Sequence, residues 1–557
     1  MKLNNHKYIG YATCFMAALT TLSSCTLDRE PETTLTDSTF WKSATDFRGA
    51  CNTLYLDLDG FSHDTRADDL IGNNVNSISA GTRDVPATSG DWSNPYTYIG
   101  RCNKIIEQSK TTPLVESQAN RWAAEAYFFR AYHYFELVQK YGDVPLILKV
   151  FTSTSDPDIK MARTSREEVI QQCYKDLAFA ENWLPDIDDV SSVGDWGRVS
   201  KSAARGLMVR IGLYEGTYSK YHALGSDWKA HLKMAIDAAE RLINSGKHSL
   251  YPDFLKLFYF TGEGRQNREN VFVKVYGPND AGTITHRNSR GLENAASVTR
   301  QAIDQFLYVD GLPREKSLLA IIPDTSYNNI FEQRDPRLAL TVYKLGEDAY
   351  KGAYMPFTNQ HGNGYPIKKG FMVDQWALNG QETVDKMIIR YAEVLLSYAE
   401  ALYEYNGQIS DAALDATVNK VRARVGFDTK LTNAFVKTNG LDMLTEIRRE
   451  RLVEFIDENL RYDDIMRWKI AENVLPTTML GLKFIALETS AKREDLQSRL
   501  TTEGGMYKGK KVSDQADIFV IEDGSTRSFN PERDYLYPIP TYEISTSDGN
   551  LKQNPNW

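Results

Sequence analysis

The segment IIRYAEVLLSYAEALYEY, residues 388–405, constrains the fold more than any other stretch. Ile388, Ala392, Leu395, Ala399 and Leu402 recur at steps of three and four, so a helix puts them on one face. Arg390, Glu393, Ser397, Glu400 and Glu404 form a polar stripe on another. Alanines on the apolar face let a partner helix come close. The same texture returns in pairs: 119–141 with 166–182, 200–219 with 228–245, 388–406 with 410–425, and 441–457 with 461–473. Gly142 and Pro145 close the first of these helices, and Ser165 with Glu168 gives the second a capping-box pattern. Four helix pairs rich in Ala and Tyr predict a mostly α chain of tetratricopeptide-like units without a strict repeat length.

Three stretches break the pattern. Residues 60–100, 274–386 and 474–557 are rich in Gly, Asn and Asp and lack a long helical period. Irregular stretches in a helical chain tend to carry function rather than scaffold. No composition break marks a linker, so the expectation is one domain, 25–557, with long insertions.

The N-terminus has its own logic. Lys2 and Lys7 precede a mostly apolar run to Leu22, a basic start and a short hydrophobic region. That run is too short for a permanent transmembrane helix. It ends in Leu22-Ser23-Ser24-Cys25, which resembles the bacterial lipobox. Residues 1–24 are therefore expected to be a lipoprotein signal peptide and Cys25 the acylated first residue of the mature chain. The formal net charge is −9, and loss of the two lysines in residues 1–24 takes it to −11. An acidic chain without a basic block is a poor partner for nucleic acid. Cys51, Cys102 and Cys173 remain after Cys14 and Cys25, widely spaced and without C-x-x-C, so neither zinc nor a disulfide framework is implied.

The familiar catalytic motifs fail. Gly504-x-x-x-x-Gly509-Lys510 carries Lys511 where a phosphate loop needs Ser or Thr. Asp57-x-Asp59-Gly60 has Tyr55 where a calcium loop needs its first ligand. There is no H-E-x-x-H and no G-x-S-x-G. The expectation is no enzyme, no metal and no cofactor.

Several motifs in order resemble the SusD/RagB family of Bacteroidetes surface lipoproteins. They are Ala124–Tyr132 running to Tyr141-Gly142-Asp143-Val144-Pro145-Leu146, Gly197-Arg198-Val199 with Lys201-x-Ala203-Ala204-Arg205, and Arg334-Asp335-Pro336-Arg337-Leu338. Arg390-Tyr391-Ala392-Glu393, Asn419-x-Val421-Arg422-x-Arg424-x-Gly426 and Arg461-Tyr462-x-Asp464-Ile465-x-Arg467-Trp468 follow. Tyr537-Pro538-Ile539-Pro540 and the ending Gln553-Asn554-Pro555-x-Trp557 complete the set. Asn459 stands where the family commonly has Gly, and Asn tolerates the left-handed backbone better than most residues. Arg390, Arg422, Arg461 and Arg467 read as structural ion-pair partners rather than catalysts.

The resemblance implies a single mostly α SusD-like domain on the outer face of the outer membrane. It implies binding of an oligosaccharide and a lid role over a SusC-like TonB-dependent transporter. Competing readings are an α-solenoid adaptor that binds only protein, and a surface glycoside hydrolase. Sugar rings need flat aromatic platforms and amide or charged partners for hydroxyls. The stretch GDWSNPYTYIGRCN, residues 90–103, reads as a loop offering Trp92, Asn94 and Tyr96. The family places its glycan site near this stretch. Asp69 and Arg83 are expected hydroxyl partners, and Tyr276 and Trp376 are expected to extend the surface.

Overall fold

The computed structural model describes residues 40–557 apart from 191–193, 280–281, 295, 322–324, 351 and 358–363. The signal segment and Cys25 lie outside the described residues. The chain is mostly helical. Its scaffold is a run of helices: α1 (Ala44–Asn52), α2 (Gly90–Ser109), α3 (Glu116–Tyr141), α4 (Arg166–Trp183), α5 (Lys201–His222), α6 (Trp228–Asn244), α7 (Tyr391–Asn406), α8 (Met443–Phe455) and α9 (Arg461–Arg467). From α2 to α8 each helix packs on the next in this list. Phe128, Phe129, Leu207, Ile211 and Leu395 are among the side chains buried between them.

Local chemistry explains the ends. Ser165 caps α4 by accepting from the Glu168 N–H at 3.3 Å, while the Glu168 carboxylate takes the Ser165 hydroxyl at 2.7 Å. Gly142 leaves α3 at φ +73, a conformation that a side chain would disfavour. Gly212 and Gly216 on α5 let α6 sit close. A Cβ at 212 would fall 2.7 Å from the His231 carbonyl oxygen, and one at 216 would fall 2.6 Å from Leu232.

Four expectations need correction. Residues 90–109 form a helix, not a loop; Ser89 caps it by accepting from the Asp91 N–H. Pro95 is buried within the second turn of that helix. The segment 388–406 is split: Lys386–Arg390 is a strand, and the helix begins at Tyr391. The helix expected over 410–425 is two short pieces meeting at Thr417, and that over 461–473 stops at Arg467 before the left-handed Lys469 (φ +55).

The insertions carry small sheets. β1 (Leu70–Gly72), β3 (Ala296–Val298) and β4 (Tyr365–Pro366) form a three-stranded antiparallel sheet in the order β1-β3-β4. β2 (Asn270–Lys274) pairs antiparallel with β5 (Lys386–Arg390), setting Asn270 opposite Arg390. β6 (Met479–Lys483) pairs with β7 (Ile518–Glu522). The 274–386 insertion has its own core, including Phe306, Tyr327, Leu338, Tyr365 and Ile367. It is a packed layer rather than a set of free loops.

The motif arginines serve as structural ties. Arg422 meets Glu450 at 2.8 Å, Arg461 meets Asp68 at 2.7 Å, and Arg467 meets Glu400 at 2.6 Å. Asn459 holds φ +61, so the turn expected there is kept.

Candidate functional site

A cleft of about 460 Å³ opens where the helical scaffold meets the segment 59–78. Its floor comes from helix spacing. Tyr132, Glu136 and Gln139 lie at steps of four and three on α3, and Arg210 and Tyr214 lie four apart on α5. Tyr462 and Asp463 enter from α9, Lys386 from β5, and Tyr535 and Tyr537 from the C-terminal segment. Asp59, Asp64, Arg66 and Asn76 form the facing wall.

Most of the cations are engaged. Arg66 donates to Asp64 at 2.8 and 2.7 Å and to the Tyr537 hydroxyl at 2.8 Å, and lies 4.2 Å above the Tyr462 ring. Arg210 forks onto Glu393 at 2.7 and 2.8 Å. Lys140 meets Asp91 at 2.7 Å. Lys386 donates to the Gly60 carbonyl at 2.6 Å, and burial lowers its pKa. The carboxylates are less satisfied. Burial raises Asp463 to about 6, with Arg66 opposing, and burial raises Glu136 against its bond to His133.

The residues nominated from sequence do not converge on this cleft. Trp92 is a core residue, 4% exposed, edge-on to Tyr141 at 4.9 Å and tilted against Tyr96 at 5.4 Å. It presents no face to a sugar. Tyr96 is half-buried and donates its hydroxyl to the Pro145 carbonyl at 3.0 Å. Arg83 stacks between Tyr537 at 4.1 Å and Trp557 at 4.8 Å. Tyr141 lies 6.1 Å from Tyr537, so Trp92 and Arg83 belong to one aromatic line holding the C-terminus to the helices. Asp69 is buried, and burial followed by its neighbour Asp68 raises its pKa far above the usual range. Tyr276 is buried against Phe61 and His286. Trp376 is half-buried, donates to Glu293 at 2.7 Å and carries Arg290 at 3.8 Å over its ring. Asn94 alone of this set is exposed.

Sequence reasoning missed the cleft residues because they come from segments hundreds of positions apart. The one local signal was Asp91, which sits beside Trp92 in the nominated stretch and does line the cleft. Among the described residues no group of three or more His, Cys, Asp or Glu is placed to hold a metal ion, and no helix is long and apolar enough to cross a membrane.

A carboxyl pair lies beside Tyr276, away from the cleft. Glu263 accepts from the Asp385 N–H at 2.9 Å, and Asp385 accepts from the Tyr276 N–H at 2.9 Å and Trp196 Nε1 at 3.2 Å. Burial, then the Asp385 charge, lifts Glu263 to about 7; burial lifts Asp385 to about 6. The folded state thus holds protons that the unfolded chain releases near pH 4 to 4.5. The stabilisation is present below that range and is lost as pH rises through the folded values, so stability falls from about pH 4 to 7. Glu263→Gln should flatten this slope in urea titrations run across that range. An unchanged slope would mean that Glu263 does not hold its proton in the folded state.

Comparison with known proteins places the chain. Residues 256–557 match the family model described as the SusD family, and residues 55–213 match one described as starch-binding associating with outer membrane. The chain is 27% identical over 497 residues to SusD-like protein P2 of Formosa agariphila, covering 83% of this chain and 92% of that one. The crystal structure of a SusD-like carbohydrate binding protein from Bacteroides fragilis superposes with TM-score 0.73 at 23% identity, covering 92% of this chain and 99% of that one. A laminarin binding SusD-like protein superposes with TM-score 0.63 at 20% identity, covering 93% and 100%. At these identities the two structures share the fold. The chain belongs to the SusD family.

Proposed function

We propose that this protein is a non-catalytic glycan-binding lipoprotein, tethered through Cys25 to the outer face of the outer membrane, that passes oligosaccharide to a SusC-like TonB-dependent transporter. The observation that carries this reading is the SusD family match across 256–557, joined by the starch-binding, outer-membrane-associated match across 55–213. The laminarin and carbohydrate binding described for two proteins of the same fold supports a glycan as the ligand. The polar, tyrosine-lined cleft suits a hydroxyl-rich molecule, and the acidic chain does not suit nucleic acid.

One experiment tests ligand and chemistry together. The protein is incubated with neutral and acidic oligosaccharides, binding is read by calorimetry, and chain lengths are read before and after. Binding with unchanged chain lengths is expected. Hydrolysis abolished by changing a single carboxylate would move the protein to the hydrolases, and no binding to any oligosaccharide would sink the glycan reading. The tether and the transporter have their own readouts. Cys25→Ala should leave the outer-membrane fraction in cells lacking the transporter, and the native protein should pull down a large β-barrel partner.

A further inference from the structure

We infer that the cleft between residues 59–66 and the α3, α5 and α9 helices binds an uncharged, hydroxyl-rich sugar unit and selects against sulfated or carboxylated ones. The inference rests on the glycan reading above and goes further by naming a place and a charge class. A cleft of about 460 Å³ lies within the roughly 300–1,000 Å³ range of small-molecule pockets.

Its polar groups are unevenly satisfied. A carboxylate offers about four acceptor positions. Asp463 accepts from Gln139 at 2.9 Å, Glu136 from His133 at 3.0 Å, and Asp59 from the Tyr132 hydroxyl at 3.2 Å. Among the described residues no other hydrogen bond reaches these three carboxylates, so acceptor capacity remains on each. The Tyr462 hydroxyl, on a residue 4% exposed, lies beside that of Tyr537, whose oxygen already accepts from Arg66; it makes no hydrogen bond of good geometry. The Tyr462 oxygen is closed to solvent, so the ligand-facing groups are the three carboxylates. The unmet demand at the three carboxylates is for hydrogen-bond donors, and a sugar carries one on every hydroxyl.

The same arrangement disfavours anions. Arg66, Arg210 and Lys140 already face Asp64, Glu393 and Asp91. Lys386 is tied to the Gly60 carbonyl, and burial lowers its pKa. A sulfate or carboxylate entering here would meet Asp59, Glu136 and Asp463, and of the lining cations among the described residues Lys386 is the one not paired to a carboxylate. Tyr214 and Tyr535 line the cleft only by their edges, being 4% and 6% exposed, so its recognition is by polar groups rather than by ring stacking.

The test uses the detergent-solubilised full chain with laminarihexaose as the neutral probe and hexagalacturonate as the acidic one. Laminarihexaose should bind at least about tenfold more tightly than hexagalacturonate, and Asp463→Asn and Glu136→Gln should each weaken it by several-fold to about tenfold. Hydrogen exchange on the unmodified protein gives a readout that needs no substitution: laminarihexaose should slow exchange at residues 59–66 and 461–466. Unchanged exchange at both segments overturns the assignment, as does equal or tighter binding of hexagalacturonate. If a glycan binds and the cleft stays silent, the cleft is wrong and the glycan reading stands. If neither probe binds, the cleft assignment is overturned; the glycan reading falls as well only if the neutral and acidic oligosaccharides tested above also fail to bind.

Discussion

Replacing Arg390 by Ala should cost about 3–5 kcal/mol of unfolding free energy, the usual cost of removing one partner from a buried ion pair. Arg390 is 2% exposed at the point where β5 becomes α7. Its guanidinium reaches Glu269 at 2.8 Å, Glu454 at 2.7 Å and Glu458 at 2.6 Å, and the Glu454 carbonyl at 3.1 Å. Those partners stand just before β2, on α8, and in the turn after α8, so one side chain joins three parts of the chain. Removing it leaves three carboxylates short of a cation. Arg337 and Arg424 still hold Glu454, and Lys369 still holds Glu458, which keeps the loss finite.

The network also has a pH signature. Burial pushes Glu454 up, but Arg424, Arg390 and Arg337 overcome it and hold the carboxyl far below its ordinary range. A depressed carboxyl stabilises the fold above its unfolded pKa and loses that stabilisation as pH falls. The Arg390→Ala deficit should therefore shrink in acid. Urea unfolding at neutral and acid pH measures both quantities. A loss below about 1 kcal/mol at neutral pH would reduce Arg390 to the rank of an exposed ion pair.

The helix 391–406 shows what its sequence can and cannot disclose. Its apolar face was legible: Ala392, Leu395 and Ala399 are at most 1% exposed. Its polar stripe invites the opposite reading, since alternating charge along a helix face usually means solvent. Here Glu393, Ser397, Glu400 and Glu404 are all buried. Arg210 meets Glu393, Arg467 meets Glu400, and Lys220 and Arg448 meet Glu404. Those cations lie on α5, on α9 and on α8. Periodicity is a local property, and it reports a polar face without reporting what covers it. The motif arginines could be read as ion-pair residues from sequence, but their partners could not, because pairing is set by the packing of distant helices.

The same limit explains the binding surface. Gly-Asp-Trp-Ser-Asn-Pro has the composition of a loop, and turn chemistry competes with helix wherever Ser, Asn, Gly and Pro cluster. Tertiary packing decides the contest: Trp92, Ile99, Cys102 and Ile106 fall on one face against α3, and their burial holds the helix despite Pro95. The cleft draws on α3, α5, α9, β5 and both ends of the described chain, so no window of sequence contains it.

Trp92→Ala therefore becomes a test of stability rather than of binding. Deleting a buried aromatic typically costs about 3–5 kcal/mol, because transfer energy is lost and the cavity only partly collapses. Trp92 has little room to relax: Tyr141 and Tyr96 are held by their own neighbours, and Tyr141 passes the contact on to Tyr537 and the C-terminal segment. The variant should unfold at markedly lower urea, and tyrosine packing at the C-terminus should loosen first. Glycan affinity, corrected for the folded fraction, should stay within about twofold of the parent, a difference well under 1 kcal/mol. Urea unfolding followed by circular dichroism, with calorimetry below the transition, separates the two effects. A variant of parental stability that binds tenfold more weakly would return Trp92 to the ligand and require its ring to turn out of the core. The geometry opposes that, since an indole edge-on to one tyrosine and tilted against another leaves no face for a sugar to cover.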